Sequence, residues 1–251
     1  MRPSKIIQQD LTYSPAQGEM LDLFPTRMFR GYCPINREVV NKDIRNIING
    51  IKEKDPDNLA ENYTTYFYEE GREEMEKLPW FTDFANQMKD TYIAFIKQNY
   101  DMRVDHLSRH DIHFFCWANL YNEENEHQTH IHLRSLISGT YYPLITGKEA
   151  IQFYTPNVAG DFGTRAMNKG IDLGIRNTRF HGTEGTQSSV EFFPEDGEFL
   201  LWPSSMLHCV GRAKPEDRDG YERISISFNL DHNDPLEDTN NGTDMRYDFI
   251  K

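Results

Sequence analysis

Beyond residue 105 the chain breaks into short runs rich in β-branched and aromatic residues: "DIHFFCWANLYN", "HIHLRSLISGTYYPLI", "EAIQFYTPN", "SVEFFPEDGEFLLWPS" and "ERISISFNLDH". Gly, Pro, Asn and Asp punctuate them, which is the pattern of strands separated by turns. Ahead of them lie two segments with helical spacing. In "NREVVNKDIRNIINGIKEK", Val40, Ile44, Ile47, Ile48 and Ile51 share one face. In "WFTDFANQMKDTYIAFIKQNYD", the stripe is Phe84, Met88, Tyr92, Phe95 and Ile96, with Thr82 or Asp83 as the cap. The polar, acidic "DPDNLAENYTTYFYEEGREEMEKLP" between them reads as a surface connection. Two helices followed by about seven short strands predict a mainly β fold, a sandwich or barrel with supporting helices.

Nothing marks a second domain, so residues 1–251 are expected to form one. Its parts are an N-terminal segment (1–104) with the two helices, a core (105–235) and a tail (236–251). The Gly- and Arg-rich stretch within 156–189 is long for a connection and is a candidate lid over a substrate. Arg165, Arg176 and Arg179 are its candidate anion contacts. Hydrophobic residues make up only 37%, but 13% of the chain is aromatic, and large rings build a core from few positions. No apolar run is long enough to span a bilayer and no export signal is visible, so a soluble cytoplasmic protein is expected. A net charge of −13 argues against bulk nucleic-acid binding. Cys33, Cys116 and Cys209 are odd in number and far apart, so they suggest neither a zinc ribbon nor a disulfide framework. Exposed aromatics would suit a homo-oligomer interface.

The residues that can carry chemistry begin with "HQTHIHLRSLISGTYYPL". In a strand, His130 and His132 point to the same face and can reach one ion. In "GEFLLWPSSMLHCVGRA", His208 follows a strand and a turn, at the start of the next strand, where pairing can return it to the first two. Three ligands from two distant strands would make an open metal site with room for water and substrate. In "ERISISFN", Arg223, Ser225 and Ser227 share a face opposite Ile224, Ile226 and Phe228. An Arg pointing into a barrel is costly unless an anion pairs with it. Together these residues favour a site for a metal and a carboxylate. Asn119 either hydrogen-bonds the cofactor or satisfies backbone groups. His127 is a candidate for the site entrance. Asp111 with His113 is a weaker, reversed metal pair, while His106 and His110 read as surface. Trp117 and Trp202 read as core.

The same stretches, "WANLYNEENEHQTHIHLRSLISGTYYPL", "IQFYTPN" and "GEFLLWPSSMLHCVGRA…ERISISFN", resemble the Fe(II)/2-oxoglutarate-dependent oxygenase superfamily. They are most similar to a family of bacterial and phage oxygenases with an HxH, a "SGxYY" strand, a "FPSxxxH" turn and an "RxSxSFN" strand. The opening "LFPTRMFRGYCP" fits that family as well. The resemblance implies a double-stranded β-helix (jelly roll) and the cofactors Fe(II), 2-oxoglutarate and O2. It implies His130 and His208 as metal ligands and Arg223, with Ser225 beside it, as the partner of the far carboxylate of 2-oxoglutarate. Tyr142 stands where related enzymes place a tyrosine on that carboxylate, and Tyr141 should face the other way. His132 stands where the superfamily usually has Asp or Glu. Either it completes an all-histidine triad or it leaves a position open. The implied activity couples decarboxylation of 2-oxoglutarate to succinate with hydroxylation of a substrate the sequence does not identify. Two rivals remain: a three-histidine cupin-type dioxygenase, which would leave Arg223 without a role, and a non-catalytic barrel that binds a protein or sugar.

Overall fold

The computed structural model describes residues 26–55, 63–99, 107–133, 135–148, 150–154, 189–213 and 219–232. The candidate lid, apart from Ser189, lies outside the described residues, as do Arg165, Arg176, Arg179 and the tail 236–251.

The first helical pattern folds as α1 (Arg37–Lys54). Asn36 stops the chain from entering it earlier: its side chain accepts from the backbone N–H groups of Glu38 and Val39, at 3.1 and 3.4 Å. The second folds as α3 (Phe81–Asn99). Here the cap expectation fails, because Thr82 and Asp83 lie within the first turn and the carbonyl of Trp80 accepts from Phe84 N. Every residue of both predicted stripes is buried.

The segment between the helices is not a mere surface connection. It contains a two-residue strand, β2 (Tyr63–Thr64), and α2 (Glu69–Glu76). Of α2, only Gly71 and Met75 are buried, too few positions to show as a stripe. Gly71 lets α2 lie against α1, since a Cβ there would sit 2.9 Å from Ile51 Cδ1.

A first strand, β1 (Phe29–Tyr32), precedes the helices. Eight more follow residue 107: β3 (Ile112–Tyr121), β4 (His127–His130), β5 (Ile137–Ile145), β6 (Ile151–Tyr154), β7 (Ser189–Phe192), β8 (Glu198–Pro203), β9 (His208–Val210) and β10 (Arg223–His232). They form two antiparallel sheets, in the orders β1-β8-β5-β10-β3-β2 and β4-β9-β6-β7. β1 was not foreseen. It is an exposed edge strand held to β8 by a paired Arg30–Glu198 bridge, two hydrogen bonds of 2.7 Å.

The helices cover the outer face of the six-stranded sheet. Ile44, Ile48, Phe84 and Met88 pack there with Ile226 and Phe228, all fully buried. Each such side chain contributes about 1.5–3 kcal/mol of hydrophobic stabilisation. The strand approach is close: Gly139 on β5 lies where a Cβ would be 2.6 Å from the Phe228 ring and from Leu200 O. The inner face meets the smaller sheet through Tyr142, Leu200 and Trp202 on one side and Ile151 and Phe153 on the other. Among the described residues no helix is long and apolar enough to cross a membrane.

One irregularity shapes the inner face. Between β5 and β10 the register shifts: Leu144 pairs with Ile224 and Tyr141 with Ile226, so β5 carries an extra residue opposite Ser225. Pro143 lies within this bulge, where its missing N–H costs the ladder nothing. Its carbonyl accepts from Asn41 of α1 at 3.2 Å. Tyr141 stays on the helical side, 5.5 Å from the ring of Phe84, and Tyr142 turns inward.

Candidate metal centre

Strands β4 and β9 are antiparallel, and their register sets His130 directly opposite His208. His132 arrives differently from the strand-alternation argument. β4 ends at His130, and His132 lies in the irregular chain beyond it, where its N–H donates to Ser204 O at 3.0 Å. The three rings nevertheless converge, with centroid separations of 4.3, 5.0 and 5.2 Å. Their nearest nitrogens all lie within 4.8 Å of one another. Among the described residues this is the cluster of ligating side chains suited to a metal ion.

Hydrogen bonding fixes which nitrogen each ring presents. Nδ1 of His130 donates to Gln128 O at 2.7 Å, and Nδ1 of His208 to Met206 O at 2.9 Å. Nδ1 of His132 donates to Asn229 Oδ1 at 2.7 Å. Oxygens of this kind only accept, so each neutral ring carries its proton on Nδ1 and turns the Nε2 lone pair inward. Nε2 of His130 and Nε2 of His132 are 3.2 Å apart with no proton left to join them. Two nitrogens each about 2.1 Å from one ion are roughly 3 Å apart when they subtend a right angle. The donor set therefore fits a divalent transition metal such as Fe(II).

The rings are neutral at physiological pH. Burial, reinforced by the neighbouring imidazoles, pushes His208 down to about 3. Burial likewise takes His132 to about 4 against the opposing pull of Asn229, and it lowers His130. Protons thus compete weakly for the inward nitrogens.

The histidines open onto a cavity that is partly open to solvent. Arg223, only 3% exposed, lines the same cavity, its guanidinium 4.3 Å from the centroid of the Tyr121 ring. Asn119, Tyr142, Ser225 and Ser227 line it as well. Asn119 Nδ2 donates to Ser225 Oγ at 3.3 Å and to Ser227 Oγ at 3.4 Å. Among the described residues, no Asp or Glu lines the cavity.

Other sequence candidates separate clearly. His127 lines the cavity and stacks on His130 at 4.0 Å. Asp111 closes a capping box with Ser108, and His113 is exposed, away from the cluster. His110 is exposed, and His106 lies outside the described residues. Trp202 is core, with no exposure. Trp117 is buried as expected, and it also lines the cavity, 5.7 Å from the His132 ring. Asn229 was missed, because a residue 97 positions from His132 signals nothing until the strands pair.

Residues 115–229 match the family described as "Putative 2OG-Fe(II) oxygenase". No curated protein matches the sequence. Among solved structures, a Pseudomonas putida prolyl-4-hydroxylase is similar at 12% identity and a TM-score of 0.43, with 83% of this chain and 89% of that one covered. A 2OG-Fe(II) oxygenase-family oxidoreductase from Burkholderia pseudomallei is similar at 13% identity and a TM-score of 0.35, covering 61% and 59%. EvdO2 from Micromonospora carbonacea, complexed with 2-oxoglutarate, is similar at 14% identity and a TM-score of 0.37, covering 65% and 64%. The segment matched by the family model contains His130, His132, His208 and Arg223.

Proposed function

We propose that this protein is a 2-oxoglutarate-dependent hydroxylase whose iron is held by His130, His132 and His208 and whose 2-oxoglutarate is anchored by Arg223. One observation carries the reading: a single cavity holds three inward imidazole lone pairs and the buried Arg223. When bound, iron and cosubstrate supply O2-dependent decarboxylation of 2-oxoglutarate to succinate, coupled to hydroxylation of a second substrate.

The chain's own contribution is binding, orientation and exclusion of water. The three neutral histidines leave the charge of a divalent ion uncompensated, which favours an anionic chelator over neutral ligands. Arg223 pairs with the far carboxylate, and Tyr121 beneath its guanidinium restricts where that charge can go. Asn119 donates to Ser225 Oγ, so the serine hydroxyl directs its own hydrogen to the same carboxylate. Tyr142, turned inward beside the bulge, is the further donor, and Trp117 and Ile151 wall the space against water. In this reading the two facing sheets are the halves of a double-stranded β-helix within one domain, residues 1–251. A cupin-type dioxygenase would give Arg223 nothing to bind.

The test is succinate formation from 2-oxoglutarate with Fe(II) and O2. Wild type forms succinate, His208→Ala falls to background, and Arg223→Ala needs roughly 100-fold more 2-oxoglutarate. Equal 2-oxoglutarate dependence in wild type and Arg223→Ala would overturn the assignment.

A further inference from the structure

The metal ligand least supported by its own backbone is His132, which lies outside any strand. His130 and His208 each donate to a backbone carbonyl two residues away, so their local chain orients them. His132 instead depends on a side chain from β10, and that side chain is itself held. Ser138 Oγ donates to Asn229 Oδ1 at 2.8 Å. Ser204 Oγ lies 2.7 Å from Ser138 Oγ and accepts from Ser135 Oγ at 2.8 Å. Ser138 has spent its hydrogen on Asn229, so Ser204 must donate to Ser138. The bonds then run in one direction, from Ser135 through Ser204 and Ser138 to Asn229, where they meet the proton of His132. Ser138 and Ser204 are 0% and 1% exposed, so water does not substitute for any of them. Ser204 grips the same segment through its backbone too: its carbonyl accepts from His132 N and its N–H donates to Leu136 O, each at 3.0 Å.

We propose that Asn229, fixed by Ser138 and Ser204, is a positioning residue that holds His132 in the metal-binding tautomer. This rests on the reading of the three histidines as metal ligands. It also gives a role to Ser138 of β5, Ser204 of the "PSS" turn and Asn229 of β10. The sense of the amide decides the outcome. With Oδ1 toward His132 the ring's Nε2 is an open donor. With the amide turned over, Nδ2 would donate to Nδ1, the ring proton would move to Nε2, and His132 would hydrogen-bond His130 where a metal should sit. The serine bonds hold the amide in the first sense.

The experiment measures tautomers and metal affinity separately. Long-range 1H–15N correlation spectra of the metal-free protein report which ring nitrogen carries each proton, and Co(II) titration reports affinity. Wild type is expected to show His132 protonated at Nδ1. In Asn229→Leu that signature is lost for His132 alone, and Co(II) affinity falls about 10- to 100-fold. Asn229→Asp, which keeps an acceptor, restores affinity to within a few-fold. Ser138→Ala, which leaves Asn229 in place, gives an intermediate loss and serves if Asn229→Leu does not fold. His132 protonated at Nε2 in wild type overturns the proposal, as does unchanged affinity in a folded Asn229→Leu or Ser138→Ala. Failure of wild type to bind Co(II) would instead sink the metal-site reading, while the tautomer measurement still judges Asn229.

Discussion

The two faces of β10 carry different burdens. Ile224, Ile226, Phe228 and Leu230 point to the helices and are fully buried among apolar side chains. Arg223, Ser225 and Ser227 point to the cavity, and Asn229 to His132. Arg223 and Ser225 are each only 3% exposed. One face contributes stability through burial, and the other spends some of it by keeping a charge and several hydroxyls out of water. A strand that needed only to fold would be apolar on both faces at this depth. The polar face is therefore the better guide to function, and substitutions on the two faces should separate stability from chemistry.

The largest effect on folding is expected from Phe228→Ala, at about 3–5 kcal/mol. Urea unfolding should show the loss, while the fraction that remains folded binds Co(II) with wild-type stoichiometry. Arg223→Ala, five residues away on the other face, should do the reverse. Calorimetry is expected to show 2-oxoglutarate binding to the Co(II)-loaded protein weakened by roughly 2–3 kcal/mol with little change in unfolding midpoint. If both variants lose stability and ligand binding together, the two faces are not separable.

A third test uses pH. The buried histidines titrate below the ordinary imidazole value, His132 at about 4 and His208 at about 3. As pH falls below about 6.5, the unfolded chain takes up protons that the folded site refuses. Stability of the metal-free protein is therefore fully present above pH 6.5 and declines as pH drops toward 4. Unfolding midpoints measured across this range should fall, with a shallower slope in His208→Asn. The smallest effect belongs to Ser227→Ala, which gives up hydrogen bonds to Asn119 and Thr140 at 3.4 and 3.2 Å. Its expected cost is about 1 kcal/mol or less, without loss of metal affinity.

These contrasts also explain what could be read from the sequence. The stripes of α1 and α3 and the alternation in "RISISF" are periodic, and periodicity is legible. Strand β1 and helix α2 were not: "FRGY" is mostly exposed, and α2 buries only Gly71 and Met75. His130 and His208 lie on paired strands as expected, whereas His132 reaches the cluster from irregular chain, held by Ser204 and Asn229. The inward turn of Tyr142 matches its expected side. The bulge at Pro143 that accompanies it shows only in the pairing of β5 with β10. Ser138, Ser204 and Asn229 carried no signal because small polar residues acquire meaning only from partners distant in sequence.

The most direct test of the central claim is an anaerobic titration of the metal-free protein with Fe(II) and then 2-oxoglutarate, followed in the visible region. A metal-to-ligand charge-transfer band is expected in wild type, absent in His208→Ala and shifted to higher 2-oxoglutarate concentration in Arg223→Ala. Iron binding without any such band in wild type would contradict the account, because the three histidines would then hold a metal that 2-oxoglutarate does not chelate.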